Sequence, residues 1–188
     1  MAPTLWLVRH APTRDNVDGI IMGQRDVEAT LDGLDVAAGL FGDVAFGHVV
    51  SSDSGRSQAT ARAIAPDAAV RLEPRLRERS LGPWEGRPKA ELLAAHPDAL
   101  ADAGAVRLDV DIPGCEPLAA LLARVHGALQ DLVKLDAPVL VVAHNGPLRA
   151  ALVLLGQLDL AAATTMSIDH LSPIGADLAT LRPPGPDA

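Results

Sequence analysis

Three short polar clusters in this chain carry side chains suited to an anion: Arg9-His10, Ser51-Ser52-Asp53 with Arg56, and His144-Asn145. Arginine is always charged and presents forked donors that fit phosphate oxygens. A phosphate monoester is a dianion and repels nucleophiles, so attack on it needs that charge neutralised. Arg9, Arg56, His144 and His10 itself could neutralise its equatorial oxygens with no metal ion. Each residue also has a plainer reading. His10 taken alone is a structural histidine at a strand end, and Arg56 a solvated helix residue. His10 and His144 could instead ligate a metal, but no close His/Asp/Glu cluster completes such a site. His48, His96, His126 and His170 have no motif around them and read as structural or surface residues.

The elements that would position these clusters are legible in the apolar pattern. Thr4-Leu5-Trp6-Leu7-Val8 is an apolar run of strand length that ends at Arg9-His10, where Pro12 forbids its continuation. Val49-Val50 reads as a second strand ending at Ser51-Ser52-Asp53, and Asp53 or Ser54 can cap a helix through Arg56 to Ile64. Val70 and Leu72 suggest a short strand. Leu118 to Leu135 carries apolar residues at helical spacing. Pro138 to Ala143 is the clearest buried strand. It ends at His144-Asn145-Gly146, with Pro147 where a helix would begin. Strands alternating with helices predict an α/β fold, a three-layer sandwich with a central, mostly parallel sheet flanked by helices. Ligands of such sheets bind outside the C-terminal ends of the strands, which is where all three clusters fall.

The segment Arg9-His10-Ala11-Pro12-Thr13-Arg14-Asp15-Asn16 resembles the signature of the histidine phosphatase (phosphoglycerate mutase-like) superfamily. There an Arg-His pair ends the first strand, and a Thr and an Asn follow at this spacing. Further blocks come in the family's order. These are Met22-Gly23-Gln24-Arg25-Asp26 with Leu31 and Gly33, then Ser51 to Ala61 around Arg56. Leu76-Arg77-Glu78 with Gly82-Pro83-Trp84-Glu85-Gly86 comes next, and Ala143-His144-Asn145-Gly146 last. An Arg-His dipeptide alone carries little; the ordered set, from Leu5 to Arg149, is specific, and it points to the short bacterial phosphatase branch.

The resemblance implies a metal-independent phosphatase with no cofactor, acting on a small-molecule phosphate monoester. His10 would attack phosphorus in line as a neutral imidazole and become a phosphohistidine. Arg9, Arg56 and His144 would hold the phosphoryl oxygens, with Asn16 and Asn145 as further binding residues. Glu78, selected over its rival Glu85, would protonate the leaving alkoxide and later take a proton from water. That role needs Glu78 protonated at the start. The chain departs from the pattern at Ala11 and Asn145, both standing for glycine. Pro113-Gly114-Cys115-Glu116-Pro117, with Arg124 later, stands where the family often has Pro-Gly-Gly-Glu-Ser. Cys115 reads as an inert small residue.

The bulk properties fit one domain. The 188 residues suggest a single unit over 1–181, with a lid over roughly 84–113 and a disordered tail over 182–188. One cysteine allows no internal disulfide, and no signal segment or membrane-length apolar run is evident, so a cytoplasmic protein is expected. A net charge of −8 argues against nucleic acid as a partner, yet a local cationic pocket can still capture an anion. The expected partner is a small phosphate ester, bound by a monomer or homodimer without nucleic acid or membrane. Its identity is not readable; Arg14, Arg25, Arg77, Arg79, Arg87 and Lys89 are candidate contacts. Two alternatives stand beside hydrolysis: phosphoglycerate mutase-type transfer, and a phosphate-binding module without turnover. Asp15 occupies the place where mutases of the family usually carry a Trp that could wall off solvent, which favours water as acceptor.

Overall fold

A computed structural model describes residues 4–42, 44–135 and 138–184. In chain order the elements are β1 (Leu5–Arg9), α1 (Arg14–Val17), α2 (Leu31–Ala38), β2 (His48–Ser51), α3 (Gly55–Ile64) and β3 (Val70–Leu72). They continue with α4 (Lys89–Ala95), α5 (Leu118–Leu132), β4 (Val139–Ala143), α6 (Asn145–Leu154), α7 (Leu160–Thr165) and β5 (Ile174–Ala176). The strands form one sheet in the order β3-β2-β4-β1-β5. β3, β2, β4 and β1 run parallel, and β5 pairs antiparallel with β1. The mostly parallel sheet expected from the sequence is therefore present, with an antiparallel edge.

β4 lies between β1 and β2, and all five of its residues are buried. A strand covered on both faces needs a continuous apolar run, which is why Val139 to Ala143 has no alternation. Successive side chains still point to opposite faces. Val139, Val141 and Ala143 join the core under α5 and α6, with Leu5, Leu7 and Leu121. Leu140 and Val142 join the smaller core under α3, with Val8, Val49 and Ala61. Trp6, Phe41 and Phe46 close that side edge to face, with centroids 5.4 and 5.0 Å apart. A third cluster packs Leu92, Ala99 and Ile112, from the segment between Gly82 and Pro117, against Ile21 and Leu81.

Several boundaries differ from the sequence expectation. The first strand includes Arg9, and α5 stops at Leu132 rather than Leu135. Pro147 sits inside the first turn of α6, since His144 caps that helix; its missing N–H is one that the helix start would leave unpaired anyway. The tail expected over 182–188 lies outside the described residues from 185 onward, while the Arg182 N–H donates to the Leu154 carbonyl at 2.8 Å. Among the described residues no helix is long and apolar enough to cross a membrane.

Candidate active site

His10 follows β1 and is 1% exposed. Its Nδ1 lies 2.7 Å from the Ala11 carbonyl oxygen. A carbonyl can only accept, so Nδ1 carries the proton and Nε2 keeps its lone pair. Arg56 Nε donates to that Nε2 at 3.3 Å. Burial, and then the Arg56 charge, hold the His10 pKa well below the ordinary histidine value. The ring is therefore neutral at neutral pH, and Nε2 is a nucleophilic nitrogen.

Arg56 projects from the first turn of α3 and is as buried as His10. Its Nη1 donates to the Arg25 carbonyl at 2.6 Å, and Nη2 to the Gly23 carbonyl at 3.0 Å. Nη2 also donates to His144 Nδ1 at 3.2 Å. An arginine cannot accept, so His144 bears its proton on Nε2, which donates to Ser52 Oγ at 2.9 Å with the Ser54 and Ser57 hydroxyls nearby. The serine cluster thus fixes the second ring 5.0 Å from the first. Burial and Arg56 also keep His144 well below the usual histidine pKa. Arg9 ends β1, and its Nη1 donates to the Ile168 carbonyl at 2.5 Å. Its Nε is buried with no partner, the sole such side-chain atom among the described residues. An unmet buried donor costs about 1–3 kcal/mol, which an incoming anion would recover.

Glu78 lies in the loop after the short 3-10 turn Pro74–Leu76. Its Oε1 accepts from the backbone N–H of Arg79 at 2.8 Å and of Gly146 at 2.9 Å. That leaves Oε2 as the oxygen able to carry a proton. Arg124, on α5, fixes the loop from behind. Its guanidinium pairs with Glu116 at 2.6 Å and donates to the carbonyls of Arg75, Arg77 and Glu78. Glu85 has a different task, since its Oε1 accepts from the Leu81 N–H at 2.9 Å and braces the loop. It packs beside Gly23, where an added Cβ would lie 2.2 Å from that oxygen.

The expected site residues converge around two hollows that share Glu78. A cavity of about 260 Å³ is lined by Arg9, His10, Asn16, Glu78 and Asn145. A smaller one of about 210 Å³ is lined by Arg56, His144 and again Glu78. The two asparagines turn their side-chain oxygens to the fold. Asn16 Oδ1 accepts from the Thr13 N–H and hydroxyl in a capping box, and Asn145 Oδ1 accepts from the Ile168 N–H at 2.9 Å. Asn16 keeps its amide N–H groups for a ligand, and Asn145 keeps its N–H groups and one lone pair of its oxygen. Among the candidate cations, Arg79 and Lys89 line the larger cavity. Arg77 lines the smaller one while pairing with Asp53; Arg14, Arg25 and Arg87 pair instead with Asp18, Asp15 and Glu91. Burial raises the Cys115 thiol pKa, as an inert role requires. Among the described residues no group of three His, Cys, Asp or Glu side chains is placed to hold a metal.

Two residues of the cavity escaped the sequence reading. Arg149 is 2% exposed and lies one turn into α6, where it donates to the carbonyls of Asn145, Ala163, Thr164, Met166 and Val106. Its place just after His144 was a legible signal. His170, read as structural or surface, lines the cavity with its ring 5.1 Å from that of His10. No motif marks it; the antiparallel return of β5 beside β1 brings it there.

Comparison with known proteins gives a concordant result. The model of the histidine phosphatase superfamily (branch 1) matches residues 5–177. A probable phosphoglycerate mutase from Enterobacter sp. (strain 638) is 36% identical over 156 residues, covering 75% of this chain and 69% of that protein. The adenosylcobalamin/alpha-ribazole phosphatase of Escherichia coli (strain K12) is 35% identical over 94 residues, covering 47% of this chain and 46% of that protein. The solved structure of a mycobacterial glucosyl-3-phosphoglycerate phosphatase superposes with a TM-score of 0.78 at 28% identity, covering 97% and 96% of the two chains.

Proposed function

The chain belongs to the histidine phosphatase superfamily (branch 1), an enzyme of phosphoric monoester hydrolysis by that membership, and on this premise we propose a metal-independent reaction through phosphohistidine on His10. The observation that carries the reading is the His10 tautomer: the Nδ1–H bond to Ala11 leaves Nε2 as a lone-pair nitrogen in a cavity that also holds Glu78.

The ester phosphate lies among Arg9, Arg56 and His144. It takes over the Arg56 N–H now directed at His10 Nε2, and it supplies the partner that Arg9 Nε lacks. A dianion beside His144 Nδ1 draws a proton onto it, so the ring donates to a non-bridging oxygen while its Nε2–H stays on Ser52. The His10 lone pair forms the N–P bond as the P–O bond breaks, and Glu78 Oε2 delivers its proton to the departing alkoxide. Water then attacks phosphorus, Glu78 takes its proton, and the N–P bond breaks to release phosphate and neutral His10. The segment 84–113 covers the strand ends as a lid over a single domain of residues 1–181. The substrate is a small-molecule ester, and the protein works in the cytoplasm.

Water is the acceptor on this reading because Asp15 and Arg25 form an ion pair beside the site, and Ala103–Val106 line the cavity with small groups. The test is rapid quenching with labelled ester. An acid-labile, base-stable adduct is expected on wild type and none on His10→Ala, whose turnover falls by on the order of 10⁴-fold or more. Full activity of His10→Ala would overturn the mechanism. Interconversion of 2- and 3-phosphoglycerate with little free phosphate would reassign the acceptor and keep the His10 chemistry.

A further inference from the structure

His170 touches both the nucleophile and the cavity. Its Nδ1 lies 2.7 Å from the His10 carbonyl oxygen, so Nδ1 carries the proton. Nε2 therefore holds a lone pair. It makes no hydrogen bond among the described residues, and it is not among the buried atoms left without a partner, so it opens to the cavity that His170 lines. The cavity is otherwise rich in donors. Its arginines and Lys89 only donate, the oxygen of Asn16 accepts two bonds already, and that of Asn145 is turned to the Ile168 N–H. His10 Nε2 and Glu78 are occupied by the reaction. The Nε2 of His170 is a side-chain acceptor there without a partner, with the Ser167 hydroxyl beside it.

We propose that His170 is a specificity-determining residue that accepts a hydrogen bond from a hydroxyl of the substrate's alcohol, one carbon from the ester carbon. The substrates favoured are thus phosphate esters of polyhydroxy compounds. The inference rests on the phosphatase reading above and adds the class of alcohol. The geometry fits such a task. His170 lines the same cavity as Glu78, the group that protonates the leaving oxygen, so the departing alcohol lies within the space that Nε2 faces. The Nδ1–H bond to the His10 backbone couples the reader to the nucleophile, so capture of the hydroxyl also sets the angle of attack. Burial and then Arg9, with Lys89 adding and Asp169 opposing, bring the His170 pKa down to about 4. The ring thus remains an acceptor across the neutral range.

The experiment compares 2-hydroxyethyl phosphate with ethyl phosphate, with para-nitrophenyl phosphate as a control ester. Wild type is expected to favour the hydroxylated ester in kcat/KM by roughly ten-fold, the scale of one hydrogen bond to a desolvated group. His170→Asn keeps a donor near the His10 carbonyl and removes the acceptor at the Nε2 position, so the ratio between the two esters should fall toward one. His170→Phe removes both and should slow every ester in addition, exposing the positional share of the residue. Equal treatment of the two alkyl esters by wild type, or an equal loss on both in His170→Asn, would overturn the inference and leave the phosphatase reading standing. Turnover of the aryl ester alone would also overturn it. No turnover of any ester would remove the phosphatase reading, and the inference with it.

Discussion

The floor of the cavity and its cover are built on different principles. On the floor, His10, Arg56 and His144 are at most 1% exposed, and each is fixed by several hydrogen bonds. The proposed cover, residues 84–113, meets the cavity with Lys89 and Ala103–Val106. It is held through its own carbonyls: Lys89 donates to Gly104, Arg79 to Arg107 and Val110, and Arg149 to Val106. Its two ends also meet closely, because a Cβ on Gly82 would lie 2.1 Å from the Gly114 carbonyl oxygen. The floor thus specifies side-chain chemistry to the atom, while the cover specifies only a backbone shape. A change on the floor should strike the chemical step, and a change in the cover should redistribute substrates.

The sharpest way to break this contrast is Arg56→Ala. Removing a preorganised donor that stabilises charge in the transition state typically costs ~10²–10³-fold in kcat, and that loss is expected on every ester. A loss confined to KM would mean that Arg56 only binds. Gly146→Ala tests the joint between the regions. A Cβ there would lie 2.4 Å from Glu78 Oε1, so the carboxyl group must move although no titrating group has changed. Turnover of alkyl esters should fall by up to ~10²-fold, with aryl esters, which leave without protonation, far less affected. Equal losses on both would detach Glu78 from leaving-group protonation. The smallest effect is expected in the cover. Lys89→Met keeps the stem and removes the ammonium that binds Gly104. It should shift KM by no more than ~10-fold, unequally among esters, with kcat on aryl phosphate held, since it removes binding and not transition-state stabilisation. A uniform fall in kcat would erase the distinction drawn here.

The same division governs how far the sequence could be read. β1 and β4 are continuous apolar runs stopping at Arg9-His10 and His144, so both the strands and the clusters at their ends were legible. Arg56 and Glu78 were legible through the blocks around them. His170 was not. It sits in no motif, and it reaches the cavity because β5, three residues long, pairs back onto β1, a tertiary event without a local signal. The shape of the cover was equally hidden, because carbonyls held by Arg79, Lys89 and Arg149 leave no trace in residue type. The orientation of Asn16 and Asn145, with their oxygens turned to the fold, follows from capping and loop geometry that spacing alone does not resolve.

The position of β4 between β1 and β2 has a consequence for the order of events during synthesis. His10 and Arg56 leave the ribosome early, yet the strand that must separate β1 from β2, and that delivers His144, comes more than eighty residues after Arg56. Until it arrives, those two strands have no ladder between them, and only bonds such as Ala11 N–H to Thr60 Oγ1 tie the segment of His10 to the helix of Arg56. Forming such distant pairings means closing long loops first, so the landscape favours late assembly. The nascent chain therefore lacks His144 and the central strand that fixes the two flanking strands in register. Catalytic power should appear in one step with the insertion of β4, rather than growing with chain length.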